Sequence, residues 1–110
     1  MNNSTSLNTI GEYVRQWQDE QFPDTDMLQQ TLVLAEETGE VCRAVVKEHQ
    51  GVRPKSRGIL SEELADVILL TAGLADRAGV DLNLAVKKRL YRLNLLDFKS
   101  DEEASQTIKR

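Results

Sequence analysis

Apolar residues recur along the chain at intervals of three and four, the period of an amphipathic helix, in four successive runs. Leu7, Ile10, Val14 and Trp17 define the first, with Ser6 placed to cap it and Pro23-Asp24-Thr25 breaking the pattern after about Gln21. A second helix is expected from about Asp26 to about Glu48. It is apolar on two sides, with Leu28, Leu32, Ala35, Cys42 and Val46 on one and Val33, Leu34, Val41 and Val45 on the other. Only a narrow polar stripe of Gln29, Glu36, Arg43 and Lys47 separates them. A helix so largely apolar needs neighbours on more than one side, and in a short chain some are expected to come from another subunit. Residues 49–60 read as a loop punctuated by Gly51, Pro54 and Gly58. Ser61 is expected to cap a third helix that runs to about Ala78, with Glu62 and Glu63 in its first turn and Gly79 just past its end. Asp81 caps a fourth, about Leu82 to Phe98, whose inner stripe of Leu82, Ala85, Val86, Leu90 and Leu93 is interrupted by Arg89. No stretch alternates with a period of two over β-branched residues. The expected fold is all-α and four-helix bundle-like, a single domain over 1–110 with its core at about 6–98 and a polar tail at 99–110.

Two acidic clusters break this pattern, Glu36-Glu37-Thr38-Gly39-Glu40 and Glu62-Glu63-Leu64-Ala65-Asp66. Three residues along a helix bring side chains to neighbouring positions one turn apart, so Glu37 with Glu40, and Glu63 with Asp66, can each reach one point. Glu37 projects among Val33, Leu34, Val41 and Ala44, and Glu63 and Asp66 project among Leu60, Val67, Leu70 and Leu74. Solvated acids belong on the face opposite the apolar stripe, whereas carboxylates embedded in it must be paired, protonated or bound to cations. Either cluster alone is ordinary helix surface or dipole compensation. Two acid pairs, both inside apolar stripes on consecutive helices, are not.

The formal net charge of -4 and a pI near 5.0 argue against general affinity for nucleic acid polymers or anionic membranes. A single cysteine, Cys42, allows no internal disulfide and suggests a reducing, cytoplasmic setting. Its place among Leu28, Ala35 and Val46 predicts burial. The N-terminus lacks an apolar signal core.

Four carboxylates converging from two helices repel one another unless cations neutralise them, and an all-oxygen set suits hard ions such as Mg²⁺ or Mn²⁺. Magnesium commonly bridges carboxylates to substrate phosphates, so a phosphate ester or anhydride is the implied substrate. The di-iron centres of helical bundles use Glu-x-x-His pairs, and His49, the single histidine, lies in none. With no Gly-rich phosphate loop, phosphates would be held by metal and by basic side chains, for which Arg53, Lys55 and Arg57 in the loop are candidates. Trp17 and Phe22 are the best candidates to stack on a base, although Trp17 falls at core spacing and packing is its favoured reading.

Leu34-Ala35-Glu36-Glu37-Thr38-Gly39-Glu40-Val41 and Glu62-Glu63-Leu64-Ala65-Asp66-Val67 resemble the motifs of the MazG-like nucleoside triphosphate pyrophosphohydrolases, loosely from Trp17 to about Phe98. The resemblance implies a magnesium-dependent enzyme, working as a homodimer or homotetramer, that converts nucleoside triphosphates to monophosphate and pyrophosphate. Its motif acids carry over onto Glu37, Glu40, Glu63 and Asp66 as metal ligands, while Glu36 or Glu37 would position or deprotonate water. Arg89 stands where one branch of the family has a substrate-contacting lysine, and could contact phosphate. That branch's asparagine four residues on is replaced by Leu93, with Asn94 one residue out of register. Removal of surplus or non-canonical deoxynucleotides would be the family's cellular role. A phosphoribosyl-ATP or dUTP pyrophosphohydrolase would use the same acids, and a non-catalytic helical interaction module is the reading from another class.

Overall fold

The computed structural model describes residues 5–51 and 57–96, apart from the side chains of residues 57 and 58. Its helices are α1 (Leu7–Gln21), α2 (Met27–His49), α3 (Arg57–Ala78) and α4 (Leu82–Arg92), and no strand forms among the described residues. Three N-termini are capped by the residues whose short polar side chains suit that position. Ser6 accepts from the Thr9 N–H at 3.1 Å and Asp81 from the Leu84 N–H at 3.0 Å. Asp26 and Gln29 form a reciprocal box, each side chain accepting the other's backbone N–H at 2.8 and 3.1 Å. None of the described helices is long and apolar enough to cross a membrane.

Two helix boundaries differ from expectation. Ser61 is not a cap: α3 begins at Arg57, so Glu62 and Glu63 lie beyond its first turn. The earlier start keeps Leu60 half-buried and in phase with Val67 and Leu74 on the packed face, which offsets the roughly 1 kcal/mol that Gly58 costs inside a helix. Helix α4 stops at Arg92 and does not reach Phe98, which lies outside the described residues together with Lys55. Asn94 there adopts φ 59°, and the N–H groups of Asn94 and Leu95 bond to the carbonyls of Tyr91 and Leu90 at 3.0 and 2.9 Å. That reverse-bonded ending is the Schellman arrangement, for which asparagine is one of the few residues tolerating a left-handed backbone. Gly79 closes α3 in the same way, with φ 73° and a Val80 N–H to Ala75 carbonyl bond of 2.8 Å.

Helix α3 is the centre of the molecule, packed against α1 on one side and α2 on the other, with α4 touching α1 and α3 lightly. The α1–α3 crossing is close because small residues meet there: a Cβ on Gly11 would overlap the Ala72 carbonyl oxygen, and one on Gly73 would lie 2.7 Å from Val14 Cγ1. Charges fasten the same crossing, with Arg15 paired to Asp76 and Arg77 to Asp19 at 2.6 Å. The Asn8 amide ties α1 to the start of α4, accepting the Leu82 N–H at 2.9 Å and donating to Asp81 at 2.9 Å. The bond from the Asn8 amide, with that from the Leu84 N–H, holds the Asp81 carboxyl below its ordinary range.

The apolar core of a single chain is small. Ala44, Ala72 and Ala75 are the buried apolar side chains among the described residues, whereas Leu28 is 67% and Leu32 62% exposed. Cys42, expected to be buried, is exposed. It shares the side of α2 that carries Leu28, Leu32 and Val46, which this chain alone leaves uncovered. The inner stripe of α4 is likewise thin, with Leu82 and Leu90 half-buried and Ala85, Val86 and Leu93 exposed.

Candidate active site

Helices α1, α2 and α3 enclose an open cavity of about 720 Å³, within the size range of small-molecule sites. Val33, Leu69 and Leu70 give it an apolar lining. Two kinds of functional side chain meet around that lining. Trp17 and Phe22, from α1 and its C-cap, stand edge to face with ring centroids 6.0 Å apart. Glu37 from α2 and Asp66 from α3 enter the wall of the same cavity.

Trp17 is 55% exposed and Phe22 58% exposed, so neither ring is consumed by packing, and the core role favoured for Trp17 by its spacing does not hold. The reason is the thinness of the molecule at that point. Gln18 and Gln30 are buried at the α1–α2 junction, where Gln30 Nε2 donates to Gln18 Oε1, and the tryptophan is left on the cavity side. Both glutamines and Tyr13 also line the cavity. Sequence reasoning passed over all three. Gln30 had a usable signal, because it precedes Glu37 by seven residues and so lies on the same helical face as Val33, Leu34 and Val41.

The four carboxylates of the motifs differ in exposure. Glu37, Glu40 and Glu63 are half-buried, while Asp66 is exposed, against the expectation that it sits inside an apolar stripe. Asp66 escapes burial because it borders the open cavity. The acids feel one another nonetheless. Burial, and after it the charges of Asp66, Glu36, Glu40 and Glu63, raise the Glu37 pKa above the ordinary carboxylate value. Glu63 Oε2 is buried without a hydrogen-bond partner, and Glu40 pairs with Arg43 at 3.3 Å on the surface.

As placed, no three Asp, Glu, His or Cys side chains among the described residues surround a common point suitable for an ion. The donors are nonetheless of the kind that a hard divalent cation takes: all oxygen, mutually repelling, with one buried carboxylate oxygen lacking a partner. The ion pair that Glu40 makes with Arg43 is exposed, an interaction worth about 0–1 kcal/mol. The set therefore fits a magnesium-type ion in its donor chemistry.

Among the described side chains, other sequence candidates do not line the cavity. Glu36 is exposed, and Arg89 is exposed on α4, which does not contribute to the lining. Arg57 opens α3, with its side chain outside the description. His49 is exposed at the last position of α2.

An all-helical chain with an aromatic-lined cavity and carboxylates from two helices has the outline of an α-helical nucleotide hydrolase. The family model of the MazG nucleotide pyrophosphohydrolase domain matches residues 26–94, more than half of the chain, and the protein belongs to that family. The match takes in both acidic clusters and begins after Trp17, Gln18 and Phe22. No curated protein and no solved structure matched it.

Proposed function

We propose that the chain hydrolyses a nucleoside triphosphate between its α- and β-phosphates, releasing a nucleoside monophosphate and pyrophosphate. The observation that carries this reading is the meeting, in one cavity, of a solvent-facing aromatic pair with carboxylates from both acidic helices. Trp17 and Phe22 offer flat apolar surface to a base, an interaction worth about 1–3 kcal/mol per stacked base. Glu37 and Asp66, in the lining of the same cavity, are where the triphosphate would be held.

Glu37, Glu40, Glu63 and Asp66 would hold Mg²⁺. The ion, when bound, neutralises the triphosphate and lowers the pKa of coordinated water. Glu37, which enters the wall of the cavity, is the first candidate to accept a proton from an attacking water. Glu36, exposed one residue away, is the second candidate for that role. Lys55, Arg57 and Arg89 are candidates to offset charge on the departing pyrophosphate.

The chain is further proposed to work as a homo-oligomer. Leu28, Leu32 and Val46 on α2 and Leu64 and Ile68 on α3 are all exposed, and a second copy covering them would supply the burial that one chain lacks. Light scattering would then give a dimer or tetramer mass, and a stable monomer at micromolar concentration would refute it.

The function is tested by incubating the purified chain with Mg²⁺ and a panel of ribo- and deoxynucleoside triphosphates, phosphoribosyl-ATP included. Monophosphate and pyrophosphate are the expected products from at least one of them. Orthophosphate as the primary product, or no turnover of any nucleotide, would sink the reading.

A further inference from the structure

The cavity contains one feature that triphosphate chemistry does not use. Gln30 is 2% exposed, lies in the cavity wall, and leaves its Oε1 without a hydrogen-bond partner. Its Nε2 is engaged by Gln18 Oε1, and Gln18 is itself 7% exposed. Gln18 is in turn packed over a glycine, its Oε1 lying 3.6 Å from where a Cβ on Gly73 would be. The Gln30 amide nitrogen is therefore engaged through one of its N–H groups, and its oxygen has no partner. A buried amide oxygen left unpaired is destabilising, a penalty that a leucine or methionine at the same place would avoid. In an apolar pocket a few such groups fix a ligand's orientation and identity.

We infer that Gln30 reads the base of the nucleotide, with its free Oε1 accepting a hydrogen bond from an exocyclic amino group, so that cytosine and adenine are preferred to their oxo counterparts. This rests on the nucleotide reading above and adds the substrate class. Placement agrees with it. Gln30 and Glu37 lie seven residues apart on one face of α2, about 10 Å along the axis. That is the reach of a nucleoside from its base to its 5′ phosphate. Trp17 and Phe22 line the same cavity as Gln30 and would take the face of the ring while Gln30 takes its edge. An amino group at that edge donates directly to Oε1. In uracil or hypoxanthine a carbonyl oxygen takes its place, and two acceptors then face each other with the cost of an unpaired polar contact.

The selectivity is measurable without catalysis. Trp17 is the single tryptophan, so its fluorescence reports base binding in the cavity. Titrations of the full chain with cytidine against uridine, and adenosine against inosine, all without metal, are expected to show about tenfold or greater preference for the amino member of each pair. Gln30→Met keeps the volume and removes the acceptor, and should bring each pair to within about twofold. Circular dichroism and the melting temperature establish that this variant is folded; the wild-type comparison stands even if it is not. Equal binding within each pair, preference for the oxo base, absence of nucleoside binding, or a preference that survives Gln30→Met would each overturn the inference. Pyrophosphate release by the wild type separates the two readings. Turnover without amino preference removes only the role of Gln30, and absence of turnover removes only the hydrolase.

Discussion

The cavity has two walls of different origin. Its acidic wall comes from α2 and α3, where Glu37 and Asp66 belong to motifs with a three-residue period that lie inside the family match. Its aromatic wall comes from α1, where Trp17 and Gln18 precede the matched region, with Phe22 at the helix end. The acids thus lie within the region that the family model matches, and the aromatic pair, with Gln30 of α2 beside it in the lining, is where this chain would set its own ligand preference. Metal and phosphate chemistry needs several charged groups at fixed spacing, whereas base recognition needs only flat apolar surface and one or two buried polar atoms.

The largest expected effect comes from the acidic wall. Asp66→Asn or Glu40→Gln should lower pyrophosphate release on the order of a hundredfold, the scale of losing one charge-stabilising group, as measured at saturating Mg²⁺. Undiminished turnover in both would separate the acids from the chemistry. On the other wall, Phe22→Ala should weaken nucleotide binding about tenfold, within the range for one stacked base, read as a rise in KM.

The join between the walls is the next place to press. Gly11→Ala places a methyl group against the Ala72 carbonyl oxygen, where backbone must move to admit it. The expected loss is about 1–3 kcal/mol of stability, seen as a lowered urea midpoint. A variant as stable as the wild type would show that the α1–α3 crossing is looser than its geometry implies.

The smallest effect is on stability against pH. Because the folded-state pKa of Glu37 is raised, its favourable contribution is present at low pH, where it is protonated, and is lost as pH rises through that raised value. Asp19, lowered chiefly by its bond from Arg77, and Asp81, lowered chiefly by Asn8, act in the opposite sense and lose their contribution as pH falls through their lowered values. Glu37→Gln should therefore melt above the wild type at neutral pH, with the difference closing on acidification. A constant difference across pH would assign the effect to packing instead.

Much of this architecture was legible in the sequence. Ser6 and Asp81 marked two helix starts because a short acceptor side chain before an apolar period has few other uses, and Asp26, where the second helix is expected to begin, proves to be its cap. Ser61 misled for the same reason: it met the composition of a cap, but tertiary packing of Leu60 drew the helix start back to Arg57. The acids stood out because charge within an apolar stripe demands explanation. Gln30 did not, since glutamine is an unremarkable helix residue and only its burial and unpaired oxygen distinguish it. Cys42 and Leu28 looked like core, and a periodic pattern cannot say whether the covering surface belongs to the same chain or to another.

The division of labour between the walls is tested most directly by steady-state kinetics of Glu37→Gln and Trp17→Ala, side by side on the preferred nucleotide. The predicted result is a fall in kcat for Glu37→Gln with KM little changed, and a rise in KM for Trp17→Ala with kcat largely kept. Loss of kcat alone in both variants, or unaltered kinetics in either, would contradict it.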